Sequence, residues 1–507
     1  MVLVAGLAAV LGLANALAFV REGFDLSDEG FLWYGVQAVL RGELPLRDFQ
    51  SYDPGRYAWC AAWSGWFGGG ILGVRGAATL FQILGLVAGL LAARRATRSP
   101  VALLAVGLVL TGWMFPRHKL FEPAFAMMAV YAAVRLLESP TRAVTFGAGV
   151  FVGVAALFGR NLGLYAGCGL GTIALVQWLR LGVSGPDRLL AGAGGVLVGY
   201  LPMLGLLLLA PGFAEAFGES IRAQLREGAN LPSPWLWPWR MTWSGIGAWQ
   251  ALSQVGLALH YLLPVVVLPL GCLALLRGDR ERLPERRLLI ASGVVGAFFV
   301  HHAAIRSGVL HLAQCLPPVL LGTLALLALV SRSRRAGLVA GTGAGLVSLA
   351  TLLWVNPWWS RVHPEAPHPT LATFSAAGQE LRIDEAEARF FQRLVTGIEA
   401  TVPAGDALFV APAAPGLYAL LGRASPTWGL YFFWPDADRA DQERLIRELD
   451  ERNARWALVF EHALDGRKDL LFRNSNPLVW DTLTRAFQPV RGAPLPKGVQ
   501  LFRRGPG

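Results

Sequence analysis

Apolar stretches long enough to cross a bilayer recur from Val2 to Trp354, and no other feature of the sequence constrains the fold as strongly. A spanning helix needs roughly 20 apolar residues. Stretches near that length fall at about 2–20, 73–93, 99–115, 120–137, 143–159, 162–179, 189–210, 255–276, 288–304, 312–331 and 336–354, which predicts about eleven transmembrane helices. Composition agrees: 54% of the 507 residues are hydrophobic, 16% are charged, and the mean hydropathy is +0.46. Soluble domains are about a quarter charged.

The net charge of +11 lies entirely before Pro357, because basic and acidic residues balance from there onward. Its distribution orients the spans. Arg94, Arg95 and Arg98 share one short loop, Arg135 and Arg142 flank a second, and Arg180 and Arg188 flank a third. The stretch Arg277 to Arg287 and the group Arg332, Arg334 and Arg335 complete the set. All fall on one side of the alternating spans, which predicts a cytoplasmic N-terminus and an outward C-terminus. The expected location is the inner membrane, multi-pass, with the C-terminal domain on the periplasmic side. The expected partner of the basic loops is the lipid bilayer. No basic run stands free of apolar segments, so nucleic acid is not an expected partner. The run Met1 to Val20 lacks a basic flank and reads as an uncleaved first span; Ala16-Leu17-Ala18 leaves a signal peptide as the alternative. The four cysteines, Cys60, Cys168, Cys272 and Cys315, are dispersed in apolar or amphipathic stretches and offer no disulfide framework or metal clip.

Residues 1–356 are thus expected to form a membrane domain, and 357–507 a soluble one. Within the first, the outer segment 21–70 holds two short helix-like pieces. Leu32, Val36, Val39 and Leu40 mark one; Trp59, Trp63 and Trp66 mark the other as interfacial. A second outer segment, Pro211 to Trp243, ends in a Pro/Trp cluster. The tail mixes patterns: an amphipathic helix over Ile383 to Ile398, buried strands at Ala407–Val410 and Trp456–Phe460, and a charged helix over Arg439 to Glu451. That predicts a small α/β module, without a glycine-rich phosphate loop.

Acidic residues at the membrane surface carry the chemistry. The first outer segment reads Asp25-Leu-Ser-Asp28-Glu29-Gly30, then Gly42-Glu-Leu-Pro45-Leu-Arg47-Asp48-Phe49, then Tyr52-Asp53-Pro54-Gly55-Arg56-Tyr57. A carboxylate there can act as general base toward an acceptor hydroxyl or amine. The plainer reading is a solvated loop in which Ser27, Asp28 and Glu29 open a helix.

The order of these residues resembles the first outer loop of GT-C glycosyltransferases, a superfamily that includes protein O-mannosyltransferases and the lipid A aminoarabinose transferase. The resemblance covers this loop, the layout of the spans and the outward α/β tail. It implies two membrane-parallel helices in the loop, a polyprenyl-phosphate sugar donor, and a catalytic acid at Asp28 beside Glu29. It also implies a second acidic position at Glu122, where relatives more often carry Asp, and donor or acceptor contacts from Asp48 and Arg56. Arg117, His118 and Lys119, at the outer end of the third span, fit the same pattern, as does Arg160 at the end of the fifth. The stretch Arg306-Ser-Gly308-Val-Leu-His311 looks like an Arg-Ser-Asp-x-x-His motif with Gly308 in place of the acid. For each cation the alternative is simple snorkelling at a helix end.

The implied chemistry is an inverting displacement at the anomeric carbon, with Asp28 as general base and arginines on the departing phosphate. The acceptor, whether lipid, glycan or protein, is not specified. No cofactor is implied. His301-His302 invites a metal reading, but adjacent helical residues point about 100° apart and no third ligand is near in sequence, so none is expected. A transporter or flippase for a lipid-linked glycan is the competing reading. It calls for ionisable groups at mid-membrane and repeated halves, whereas the acids here cluster at the outer surface and the sequence shows no repeat.

Overall fold

The computed structural model describes residues 1–67, 69–182, 185–228, 231–277, 283–331, 333–363, 369–435 and 437–505. Part of the basic stretch 277–287 and Arg332 lie outside the described residues. In chain order, α1 (Val2–Phe19) leads to α2 (Asp28–Leu40) and α3 (Pro54–Ser64), followed by α4 (Gly70–Ala93), α5 (Pro100–Gly112), α6 (Phe121–Glu138), α7 (Arg142–Phe158) and α8 (Arg160–Leu179). Next come α9 (Pro186–Gly199), α10 (Leu201–Leu209), α11 (Phe213–Glu227) and α12 (Ala248–Arg277), then α13 (Pro284–Phe299), α14 (His301–Ile305), α15 (Val309–Val330) and α16 (Arg334–Val355). Among the described residues, eight helical segments are long and apolar enough to span, and α9 with α10 makes a ninth bent by 55°. The apolar helices α5 and α7 are shorter, at 13 and 17 residues. The bend falls where Pro202 begins α10 and so interrupts the backbone ladder.

The chain divides into two compact units. The first comprises residues 1–20, 75–214 and 221–368. Its interior is built on aromatic packing: Phe81 lies 4.9 Å from Phe121 and 5.1 Å from both Phe125 and Phe158, ring centre to ring centre. Helices α7 and α9 approach most closely. A Cβ on Gly153 would lie 2.4 Å from the Val196 carbonyl oxygen, and one on Gly199 would lie 2.1 Å from that of Val150. Only glycine permits such backbone contact, the small-residue packing typical of helices in lipid. Some buried polar groups are paired across helices. Trp113 Nε1 donates to Ser348 Oγ at 2.8 Å, and Asn356 Nδ2 donates to the Gly112 carbonyl at 2.8 Å.

The second unit comprises residues 21–74, 215–220 and 369–507, so the first outer segment packs with the tail. A hairpin of β1 (Leu371–Ala376) and β2 (Gln379–Asp384) precedes α17 (Glu385–Thr401). Asp384 caps that helix by accepting from the Ala386 and Glu387 amides. Ile383, expected within the helix, belongs instead to β2 with its side chain buried. Then follow β3 (Leu408–Ala411), α18 (Gly416–Leu421), α19 (Arg439–Glu451), β4 (Trp456–Phe460), α20 (Phe472–Ser475), α21 (Pro477–Ala486), β5 (Phe487–Pro489) and β6 (Val499–Arg504). The sheet order is β3-β4-β6-β5, with β3 and β4 parallel and the other pairs antiparallel. The parallel pair needs a crossover, which contains α19. That helix buries Gln442, Leu445 and Leu449 on one face.

Candidate active site

The first outer segment is stitched into the second unit along its length. Its opening residues extend the hairpin: Gly23 N donates to the Arg382 carbonyl at 2.9 Å, and Arg382 N to that of Arg21 at 2.7 Å. Glu22 lies 3.8 Å from Arg382 in an ion pair. Phe24 then packs on Trp33, Phe374 and Phe391. Where α2 crosses α18, a Cβ on Gly30 would stand 2.4 Å from the Gly416 Cα, so both glycines are needed for the approach.

Asp28 is the first residue of α2, and Glu29, 6% exposed, follows it. Two carboxylates in the first turn complement the positive end of the helix. Ser27, at the N-cap, makes no side-chain cap bond. Asp25 does that work instead, accepting from the Ser27 amide at 2.8 Å and the Asp28 amide at 3.2 Å. Burial, then the charge of Asp28 and further off that of Glu29, push the Asp25 carboxyl up to about 6. Asp25 nevertheless keeps open surface. Water therefore weakens the burial contribution, and the like charges carry more of the rise than burial alone would suggest.

Asp28, half-buried, accepts a hydrogen bond from the hydroxyl of Tyr431 at 3.1 Å. Tyr431 is fixed from both sides. Its ring stacks on Phe31 with centroids 4.7 Å apart. Gln50 Oε1 accepts from the Leu430 and Tyr431 amides at 2.7 and 2.9 Å. Burial and then the charge of Asp28 hold the Tyr431 hydroxyl well above its usual range, so it stays a donor at any working pH. Nothing in the sequence pattern joined Tyr431 to Asp28; the run Gly429-Leu-Tyr-Phe-Phe-Trp434 is only an aromatic cluster until the fold closes.

The other expected residues of the loop take different positions. Asp48 holds a turn together: it accepts from the Leu44 amide at 2.7 Å and pairs with Arg47 at 2.8 Å. The Arg47 hydrogen bond keeps its carboxyl below the usual range. Arg56 sits in the first turn of α3, 2% exposed, with its guanidinium 4.3 Å from the centre of the Tyr52 ring.

In the first unit, Arg117, His118 and Lys119 form one 3-10 turn just before α6, with Glu122 in its first turn. His118 and Glu122 are buried. Arg117 Nη1 donates to the carbonyls of Phe19 and Val20 at 3.1 and 3.3 Å, and its guanidinium lies 4.3 Å from the Trp358 ring. Behind it, Asn15, Thr79 and Gln82 join Arg117 and Trp358 around a cavity of about 20 Å³. Arg160 opens α8, and His311 lies in the first turn of α15. Arg306 precedes α15 and donates to the Leu231 carbonyl at 3.2 Å, while Ser307 Oγ accepts from the Leu236 amide at 2.7 Å. This pair anchors the Pro/Trp segment. The adjacent histidines face apart. His301 Nδ1 bonds Tyr165 Oη at 2.8 Å, whereas His302 Nε2 bonds Gln314 Oε1 at 2.8 Å and its ring lies 5.5 Å from that of His311. Among the described residues no group of three acidic, histidine or cysteine side chains has metal-binding geometry.

No protein-family model matches the chain, and no curated protein matches it in sequence. Its fold is nevertheless similar to that of ArnT from Cupriavidus metallidurans. The ArnT structure bound to undecaprenyl phosphate matches with a TM-score of 0.58 at 15% identity, over 100% of this chain and 99% of that one. The apo ArnT structure matches with a TM-score of 0.53 at 13% identity, over 98% of this chain and 99% of that one. The chain therefore has an ArnT-like fold, with several helices long and apolar enough to cross a membrane and a small C-terminal α/β region.

Proposed function

We propose that this GT-C-like membrane protein is a glycosyltransferase that moves a sugar from a polyprenyl-phosphate donor to an acceptor on the outer face of the inner membrane. Asp28 acts as general base on the acceptor, and the sugar is displaced with inversion in one step. The observation that carries the reading is Asp28 itself. It is a carboxylate on the first turn of α2, half-buried, with one oxygen held by Tyr431. The full-length likeness to ArnT with undecaprenyl phosphate supports the donor class.

The phosphate is the leaving group, so the remaining task is electrostatic. Arg56, Arg117, Lys119, Arg160 and Arg306 are proposed to meet the donor phosphate, as guanidinium and ammonium groups do through charge-assisted hydrogen bonds. Glu122, Asp48, His118 and His311 are proposed as further substrate contacts. The transporter reading is less well supported. The buried Arg75 and Glu122 of the first unit sit near helix ends, and His260, buried near the middle of α12, is engaged by the Gly256 carbonyl and Ser348 Oγ at 2.6 and 3.0 Å.

Transfer from a polyprenyl-phosphate sugar by purified protein tests the proposal. Loss of a general base costs about 10²–10⁴-fold in rate, so Asp28→Asn should nearly abolish transfer while melting like wild type. A wild-type rate for Asp28→Asn would remove the base assignment. Full activity with Asp28 and Glu29 both neutralised would overturn the transferase reading.

A further inference from the structure

The first unit carries a feature of its own. A groove of about 320 Å³ runs between α4, α6 and α7, lined chiefly by Ala88, Met128, Ala132, Gly147, Ala148 and Phe151. It exists because small side chains stand where the three helices would otherwise close. Its lining is almost wholly apolar, except at one end, where Tyr131 and Arg135 meet it.

The charges at that end do not cancel. Glu138 is taken by Arg95, whose Nε and Nη2 reach its two oxygens at 3.0 and 2.9 Å. Asp187 is taken by Arg142 at 2.7 Å. Arg135 is left with a 3.9 Å approach to the already paired Glu138, and its side chain is 46% exposed. Arg94 and Arg98, both exposed, follow α4 at the same end. A hydrocarbon-lined groove with one under-compensated arginine at its mouth matches a molecule with an acyl chain and a negatively charged head.

We infer that this groove binds an anionic glycerophospholipid, with an acyl chain in the groove and the phosphate on Arg135. The site differs from any donor site at Arg117 and Glu122. Arg135 lies thirteen residues farther along α6 than Glu122, about 20 Å at 1.5 Å per residue, so its headgroup belongs to the opposite leaflet. The arginine-rich loops mark that leaflet as the cytoplasmic one, whose anionic lipids attract juxtamembrane cations.

The test uses the full chain in nanodiscs, or released from mixed micelles, with phosphatidylglycerol and phosphatidylcholine of identical acyl chains. Native mass spectrometry should show phosphatidylglycerol retained about fivefold over phosphatidylcholine, the preference expected of one basic residue at a membrane surface. Phosphatidylglycerol alone should also raise the melting temperature. Arg135→Gln should abolish the preference, and Arg135→Lys should keep most of it. Gly147→Leu should reduce retention of both lipids by filling the groove; a Cβ at Gly147 meets no atom within 4 Å, and an unchanged melting temperature without added lipid would show that the fold is kept. Equal retention of the two lipids, or a preference unchanged in Arg135→Gln, would overturn the inference. So would displacement of phosphatidylglycerol by a polyprenyl phosphate at equal concentration, or a lipid-free dimer that Gly147→Leu dissociates.

Discussion

The hydroxyl of Tyr431 donates to Oδ1 of Asp28 at 3.1 Å, joining residues 403 positions apart in the chain. That bond favours the ionised form of the acid it touches. Tyr431→Phe removes the donor and keeps the ring that stacks on Phe31. Transfer should slow by about tenfold, within the range of a hydrogen bond to a charged group. The acidic limb of kcat/KM should move to higher pH, because the carboxylate has lost a group that stabilised its charge. A slower enzyme with an unmoved pH profile would show that Tyr431 only supports the fold.

Asp25 gives a pH signature of its own. Its carboxyl stands at about 6, raised by burial and by Asp28 from an ordinary 3.8. The folded protein thus binds this proton more tightly than the unfolded chain does. The contribution to stability is complete below about pH 4 and is lost as pH rises through about 6. Asp25→Asn cannot titrate, so its melting temperature should gain on wild type between pH 4 and pH 7. The gain should be small, since Asp25 keeps open surface. Melting curves of the two proteins that stay parallel across this range would contradict the assignment.

Gly30→Ala tests the crossing of α2 and α18. An alanine within a helix ordinarily gains up to about 1 kcal/mol over glycine. Here the new methyl would meet the backbone of Gly416 at 2.4 Å. The expected outcome is a loss of about 1–3 kcal/mol, the cost of overpacking a close contact. Thermal unfolding equal to or above wild type would show that the helices separate without cost.

Orientation is tested in intact spheroplasts. The alternation of arginine-rich loops predicts an outward tail, so added protease should cleave after residue 356 and leave the membrane helices protected. A tail wholly resistant until the membrane is breached would reverse the topology.

Much of the membrane part was legible because its signal is local. An apolar run such as Gly70–Ala93 declares a span without reference to any partner. The break at Pro202 was less legible, since the apolar run continues through it and only the ring constraint divides α9 from α10. In the tail, Trp456–Phe460 and Arg439–Glu451 were clear from period and charge. The hairpin of β1 and β2 was not, although Phe374 and Ala376 alternate with exposed neighbours and Ala377-Gly378 turns with positive φ at both residues. Ile383 there continues a strand pattern that also fits the face of the following helix. The start of α2 at Asp28 could be read from the residues, but not the choice of Asp25 over Ser27 to take its amides. Least legible were contacts such as Gln50 with Leu430 and Tyr431, which depend on how the chain returns rather than on any local pattern.

The hydrogen bonds from residues 21–23 to Arg382, and the passage of Gly30 over Gly416, also govern timing. The first outer segment leaves the ribosome early, yet the surfaces that receive it are encoded more than 300 residues later. Until that sequence has been made, α2 can pack on α3 but lacks α18 at Gly30, and Asp28 has no Tyr431. A chain interrupted anywhere before that point would hold most of its helices in the membrane with the acid unmounted, so assembly of this site is one of the last events of biosynthesis.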